Sequence, residues 1–258
     1  MQKARHTAYE QPLNERIRSM LRLEFLFERA SYRLEGSSIW DSRSSLEATL
    51  DILALLTRAD LKAELIKELE RHVAKLEGLR NNRGVDLERL DRALDEVRQP
   101  LLALRAVDSV PGSELRQNEL LSAVRQRSSI PAGTCSFDIP AYQYWLERPA
   151  EERVVQLQAW LGAFDLVREA ITVSLRLIRQ SARPTREVAA AGFFQRNIDP
   201  AVPYQMIRVF IPANAPMFPE ISAGRHRFTV RFLTSGGPEA RPTQVSEDVE
   251  FDLQCCAL

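Results

Sequence analysis

The chain has 258 residues, 45% hydrophobic and 27% charged, enough to bury one large core or two smaller ones. Lys and Arg together number 35, as do Asp and Glu, so the formal net charge is zero. That argues against a globally cationic protein that wraps nucleic acid, and no apolar run approaches the length of a membrane span.

The polar N-terminus, MQKARHTAYEQP, has no secretory apolar region. The cysteines, Cys135, Cys255 and Cys256, are odd in number and two are adjacent. Together these features predict free thiols in a reducing, cytoplasmic compartment.

Helical periodicity dominates the first two thirds. Pro12 suits a first helical turn, and Leu13, Ile17, Met20, Leu23, Phe27 and Leu34 fall on one side of a helix over 13–34. A capping-box pattern at Ser44 and Glu47 predicts the start of a second helix carrying Leu46, Leu50, Leu53 and Leu56. A third is expected from about Asp60 to Glu77, with the stripe Leu61, Leu65, Leu69, Val73 and Leu76. Val85, Leu87, Leu90, Leu94 and Val97 predict a fourth, ended near Pro100. Ser113 is expected to cap a helix through Arg127, and 130–140 reads as extended or turned. Helices resume over 140–147, 149–160 and 166–180.

The composition changes near Pro184. Ile207, Val209 and Ile211 alternate with Arg208 and Phe210; Phe228, Val230 and Phe232 with Arg227, Thr229 and Arg231; Val249, Phe251, Leu253 and Cys255 with Glu250, Asp252 and Gln254. Each reads as a half-buried strand. The expected class is α+β: a mainly α-helical domain over 1–184, then a small antiparallel β-domain over 185–258.

Catalytic chemistry finds little support. His6, His72 and His226 are scattered, and none stands at metal-ligand spacing. On a strand, Cys255 and Cys256 point to opposite faces. No G-x-S-x-G, Walker A or G-x-G-x-x-G motif occurs. The expectation is a non-enzyme without metal or cofactor. The competing reading is an enzyme whose anionic small-molecule substrate sits on the arginines. It needs a base or nucleophile beside them, and His226 and Cys135 have no recognisable partner in the sequence.

The arginines are more informative. Arg18, Arg22, Arg29 and Arg33 fall within about a 60° arc opposite the apolar stripe. Such a strip is either a solvated face, with Glu15, Glu24, Glu28 and Glu35 nearby, or a site facing an anion. Arg58 and Lys62 form a second i, i+4 basic pair, and Arg227 and Arg231 a third. Guanidinium forks suit an acidic peptide.

Five ordered segments resemble the ZapD family of FtsZ-associated cell-division proteins: PLNERIRSMLRLEFL (12–26), AELIKELERH (63–72), AVRQRSSIPAGTCSFDIP (123–140), LRLIRQSA (175–182) and HRFTVRF (226–232). The terminal Cys255–Cys256 pair also fits. The resemblance spans essentially the whole chain. It implies a cytoplasmic homodimer with a helical and a β-domain, located at the mid-cell division ring. Such a protein binds the C-terminal tail of FtsZ, an Asp among apolar residues, and bundles FtsZ filaments to promote Z-ring assembly and septation. It implies no nucleic-acid or membrane partner. The positions matching the family's basic pocket are Arg18, Arg22, Arg58, Arg227 and Arg231. Glu119 and Gln143 stand where some members carry a further basic residue and a histidine, so the resemblance extends no tail-binding role to them.

Overall fold

The computed structural model describes residues 6–58, 60–224, 226–237 and 240–257, with only the backbone at Arg58. The fold is α+β, a run of helices followed by antiparallel strands. Packing divides it into two compact units. One comprises the residues up to Arg18 and from Arg176 onward; the other is Ser19–Leu175.

The helical unit holds most of α1 (Glu15–Leu34), then α2 (Ile39–Arg58), α3 (Leu61–Gly78), α4 (Leu87–Ala106), α5 (Glu119–Arg127), α6 (Pro140–Leu146), α7 (Ala150–Gly162) and the start of α8 (Asp165–Gln180). Met20, Leu23 and Phe27 of α1 are buried, as are Leu46, Ile52 and Leu53 of α2 and Leu65 and Leu69 of α3. These are the positions that the 3.6-residue period selects.

Several helix boundaries differ from the sequence expectation. Helix α2 starts at Ile39, so Ser44 and Glu47 lie inside it. The reciprocal cap is formed by Ser38 and Asp41 instead. The Asp41 amide donates to Ser38 Oγ at 3.0 Å and the Ser38 amide to Asp41 Oδ2 at 3.3 Å. Aspartate thus does the work expected of the glutamate three positions on. Helix α4 continues through Pro100 to Ala106. Proline removes one helical hydrogen bond, but Pro100, Leu101 and Leu104 are all buried and hold the last turns in place. Ser113 opens only a 3-10 turn (Ser113–Gln117); Asn118 caps α5, its Oδ1 accepting from the Leu121 amide at 3.0 Å. Before that turn, Gly112 adopts φ +76° with buried Phe164 pressed against it, where a Cβ would lie 2.0 Å from the ring. Only glycine fits there.

Arg153 of α7 is buried and, among the described residues, has no carboxylate partner. Its guanidinium donates to Ser42 Oγ (3.0 Å) and to the carbonyls of Leu146 (3.0 Å), Ser37 (2.9 Å) and Arg148. Neutral acceptors satisfy the fork, so the buried charge is tolerated.

The other unit is a β-sandwich. One sheet has the order β1-β4-β8-β2, from β1 (His6–Pro12), β4 (Tyr204–Pro212), β8 (Val249–Ala257) and β2 (Thr185–Ala189). The other has the order β3-β6-β5, from β3 (Phe193–Asn197), β6 (Arg227–Thr234) and β5 (Met217–Ala223), with β7 (Thr243–Gln244) beside β6. Ile207, Val209, Phe228, Val230, Phe232, Phe251 and Leu253 form the core between them. The Phe232 and Phe251 rings meet at 5.1 Å. Burying each ring contributes roughly 1.5–3 kcal/mol.

The N-terminal strand is a departure from the expectation. Pro12 closes β1 rather than opening a helix, and Asn14 caps α1, accepting from the Ile17 amide at 3.0 Å. Proline is allowed because β1 is an edge strand. The outward face of β4 and β8 is also covered. Glu10 accepts two hydrogen bonds from Arg179 of α8 at 2.9 and 2.8 Å and lies 2.7 Å from Arg208 Nε. Gln254 accepts from Arg208 at 2.9 Å and donates to the carbonyl of Arg179 at 2.7 Å. Burial alone would raise the pKa of Glu10, but the two guanidiniums outweigh it and hold the carboxyl below its ordinary value.

Candidate partner-binding site

The arginine strip of α1 divides in two. Arg29 and Arg33 are engaged by α2: Arg29 donates to Ser44 Oγ (3.4 Å) and Glu47 (3.2 Å) and lies 3.9 Å from Asp51, and Arg33 donates to Asp41 at 3.0 Å. These contacts relieve the like-charge repulsion along the strip and remove both side chains as free anion receptors. Closer to the helix start, Arg18 is partly exposed and bonded at 3.1 Å to Glu15, itself largely exposed. Arg22 is exposed. Spaced at i, i+4, the two share one side of the helix. Phe25, three residues beyond Arg22, lies on the same side and is 63% exposed.

Arg58 is the last residue of α2, and its side chain lies outside the described residues. Lys62, its i+4 neighbour, is committed elsewhere: its ammonium donates to the Val107 carbonyl and, at 3.5 Å, to that of Ser109, just beyond α4.

Strand β6 sets Arg227, Thr229 and Arg231 on the face opposite buried Phe228, Val230 and Phe232. Both arginines are exposed, and among the described residues neither has an ion pair. Among the described residues Arg231 donates to Gln244 Oε1, at 3.3 Å. In the β3–β6 register Phe193 is paired with Arg231 and is 40% exposed. Directly paired antiparallel residues share a face, so this phenyl stands beside the guanidinium. In the β5–β6 register Glu220 is also opposite Arg231.

Glu119 occupies the first turn of α5, and Gln143 donates to Glu147 at 2.7 Å on α6. His226 is exposed in the turn before β6. Cys135 is half-buried. Among the described residues no three His, Cys, Asp or Glu side chains are grouped to hold a metal. A cavity of about 510 Å³ in the helical unit, beside Glu47, Asp51 and Tyr142, mixes carboxylates and hydroxyls with apolar side chains such as Leu50, Val124 and Ile130, without His or Cys. The cysteines form no disulfide. Burial raises the Cys255 thiol despite nearby Arg196 and pushes Cys256 up to about 12, so both are protonated at neutral pH. No helix among the described residues is long and apolar enough to cross a membrane.

Phe25 and Phe193 escaped the sequence reading. Phe25 had a signal, being an aromatic outside the apolar stripe of its own helix. Phe193 had none, because its pairing with Arg231 depends on strand register.

The ZapD family profile, described as cell division protein, matches residues 21–231. The chain is 44% identical over 250 residues to the cell division protein ZapD of Methylococcus capsulatus, covering 97% of this chain and 98% of that one. It is 39% identical over 251 residues to that of Aromatoleum aromaticum, covering 97% of each, and 38% identical over 250 residues to that of Dechloromonas aromatica, covering 97% and 99%. The chain belongs to the ZapD family of cell division proteins.

Proposed function

We propose that this protein is a non-enzymatic adaptor that binds the C-terminal tail of FtsZ and, as a homodimer, cross-links FtsZ protofilaments at the cytoplasmic mid-cell ring. The tail's carboxylate is taken by Arg18, Arg22, Arg58, Arg227 and Arg231. The observation that carries this reading is the exposed Arg227–Arg231 pair, which has no carboxylate partner among the described residues. A planar guanidinium fork holds a carboxylate through two parallel hydrogen bonds. One such contact is weak in an open site, but a filament displays many tails, and a dimer that holds two converts weak contacts into avidity.

Fluorescence anisotropy of a labelled FtsZ tail peptide tests the site. Arg227→Glu and Arg22→Glu replace attraction with repulsion toward the tail's Asp. Each is expected to cost about 2–5 kcal/mol, roughly 30-fold or more in affinity. Binding weakens as salt rises, because the site is open to solvent. Arg33→Glu is the control, since Arg33 is already paired with Asp41. If folded Arg22→Glu and Arg227→Glu variants bind like the wild type, the site assignment is wrong. Sedimentation equilibrium tests the assembly: a 29.4 kDa monomer at micromolar concentration removes the cross-linking mechanism.

A further inference from the structure

The cavity of about 510 Å³ lies wholly within the helical unit, walled by α2, α5, the 128–134 segment and α6. Its volume is that of a small-molecule pocket. Among the described residues its wall carries two carboxylates, Glu47 and Asp51, and no Lys, Arg or His. The two stand one turn apart on α2, with side chains 53% and 60% exposed, so both can be reached. Arg29 of α1 lies 3.2 Å from Glu47 and 3.9 Å from Asp51. One guanidinium thus serves two acids, and the triad keeps a net negative charge. Arg43 lies over the Tyr142 ring, 4.8 Å from its centroid, and donates to Thr134 Oγ1 at 3.2 Å, but it does not line the cavity. A second feature is independent of the acids. Tyr142 lines the cavity, is only 1% exposed, and among the described residues its hydroxyl makes no hydrogen bond. A buried hydroxyl is costly unless an occupant bonds it. Burial pushes the phenol up to about 12, with Arg43 opposing and Glu47 adding, so at neutral pH it is an uncharged hydroxyl able to accept. Partial burial also raises the Asp51 carboxyl above its ordinary value, Arg29 opposing, and a carboxylate so placed gains from a further cation.

We propose that this cavity binds a small primary aliphatic amine, with its ammonium among Glu47, Asp51 and the Tyr142 hydroxyl and its chain against Leu50, Val124 and Ile130. An ammonium has three donors and no acceptor, and the polar wall answers with two carboxylates and a hydroxyl. An anionic ligand of the same size meets repulsion from both acids. The aliphatic wall distinguishes an alkylammonium from a bare metal ion, since only the former removes that surface from water. The cavity shares no described residue with the arginines assigned to the FtsZ tail, so the proposal does not depend on that reading.

Titration calorimetry of the full chain with n-butylamine, n-butanol and butanoate at pH 7 is the test, and N-acetyl-lysine amide presents the same ammonium as part of a peptide. Butylamine is expected to saturate in the millimolar range, as befits so small a ligand, while the alcohol and the acid do not bind. The lysine derivative binds more weakly than butylamine, because its amides must share the cavity. Asp51→Asn is expected to weaken butylamine about tenfold and Tyr142→Phe about threefold. Both are near-isosteric, and the Phe variant keeps the ring that stacks on Trp145 at 5.8 Å, so their melts stay close to the wild type. Glu88→Gln, on α4 away from the cavity wall, leaves binding unchanged. If butylamine does not saturate, or butanol or butanoate binds equally well, the proposal is overturned whatever the variants do. If only the lysine derivative binds, a free amine is not the occupant. If folded Asp51→Asn and Tyr142→Phe both bind butylamine like the wild type, this cavity is not where it binds.

Discussion

Replacing Glu10 by glutamine tests how the N-terminal strand is locked into the sandwich. One carboxylate sits between two guanidiniums, with side chains 17%, 25% and 16% exposed for Glu10, Arg179 and Arg208. Arg179 grips it through both Nε and Nη2, at 2.9 and 2.8 Å, and Arg208 Nε lies 2.7 Å away. Glutamine keeps the shape but removes the charge, leaving two half-buried cations facing each other across a neutral amide. Breaking a fully buried pair costs about 3–5 kcal/mol. This cluster keeps some solvent, so about 2–4 kcal/mol is expected, a fall in Tm of roughly 5–15 °C at this chain length. The pH dependence has a definite sign. The folded carboxyl is held below its unfolded value of 4.5, so its stabilisation is fully present above that value and is lost as pH falls through the folded pKa. Differential scanning calorimetry of both proteins from pH 7 to pH 3 is the assay. The gap in Tm stays constant down to about pH 5 and closes below it as the wild-type carboxyl protonates. Equal melting at pH 7, or a gap that does not close in acid, refutes the account of this cluster.

Three further outcomes are expected. Ser38→Ala removes the real cap of α2 and costs about 1 kcal/mol in urea unfolding, whereas Ser44→Ala, inside the helix, stays within about 0.5 kcal/mol; the reverse order contradicts the cap assignment. A fragment of residues 186–258 lacks β1 and the end of α8 that carries Arg179, so it shows no cooperative calorimetric transition; a cooperative one contradicts the dependence of the sandwich on the N-terminal strand. Reductant leaves the melting temperature unchanged, and in the folded protein at pH 8 a thiol reagent reacts slowly at Cys255 and Cys256; a reductant-sensitive melt contradicts the free-thiol assignment.

Local periodicity alone determined the class of the fold and most of its elements. The burial of Met20, Leu23 and Phe27 follows from a 3.6-residue repeat, and that of Phe228, Val230 and Phe232 from a two-residue one. Similarly, Arg227 and Arg231 had to share the solvent face of their strand. What the sequence left open depends on partners distant in the chain. Strand β1 is polar and short, and it becomes a strand only because β4, some two hundred residues later, supplies its hydrogen bonds. Gln254 reads as solvent-facing by alternation, yet the end of α8 covers it. The α1 strip showed four equivalent arginines in the sequence. Only the antiparallel packing of α2 brings carboxylates of another helix, Glu47 and Asp41, to Arg29 and Arg33, whereas Arg18 nearer the helix start is bonded to Glu15 of its own helix. Spacing fixes which side of an element a charge occupies; tertiary packing decides what it meets there.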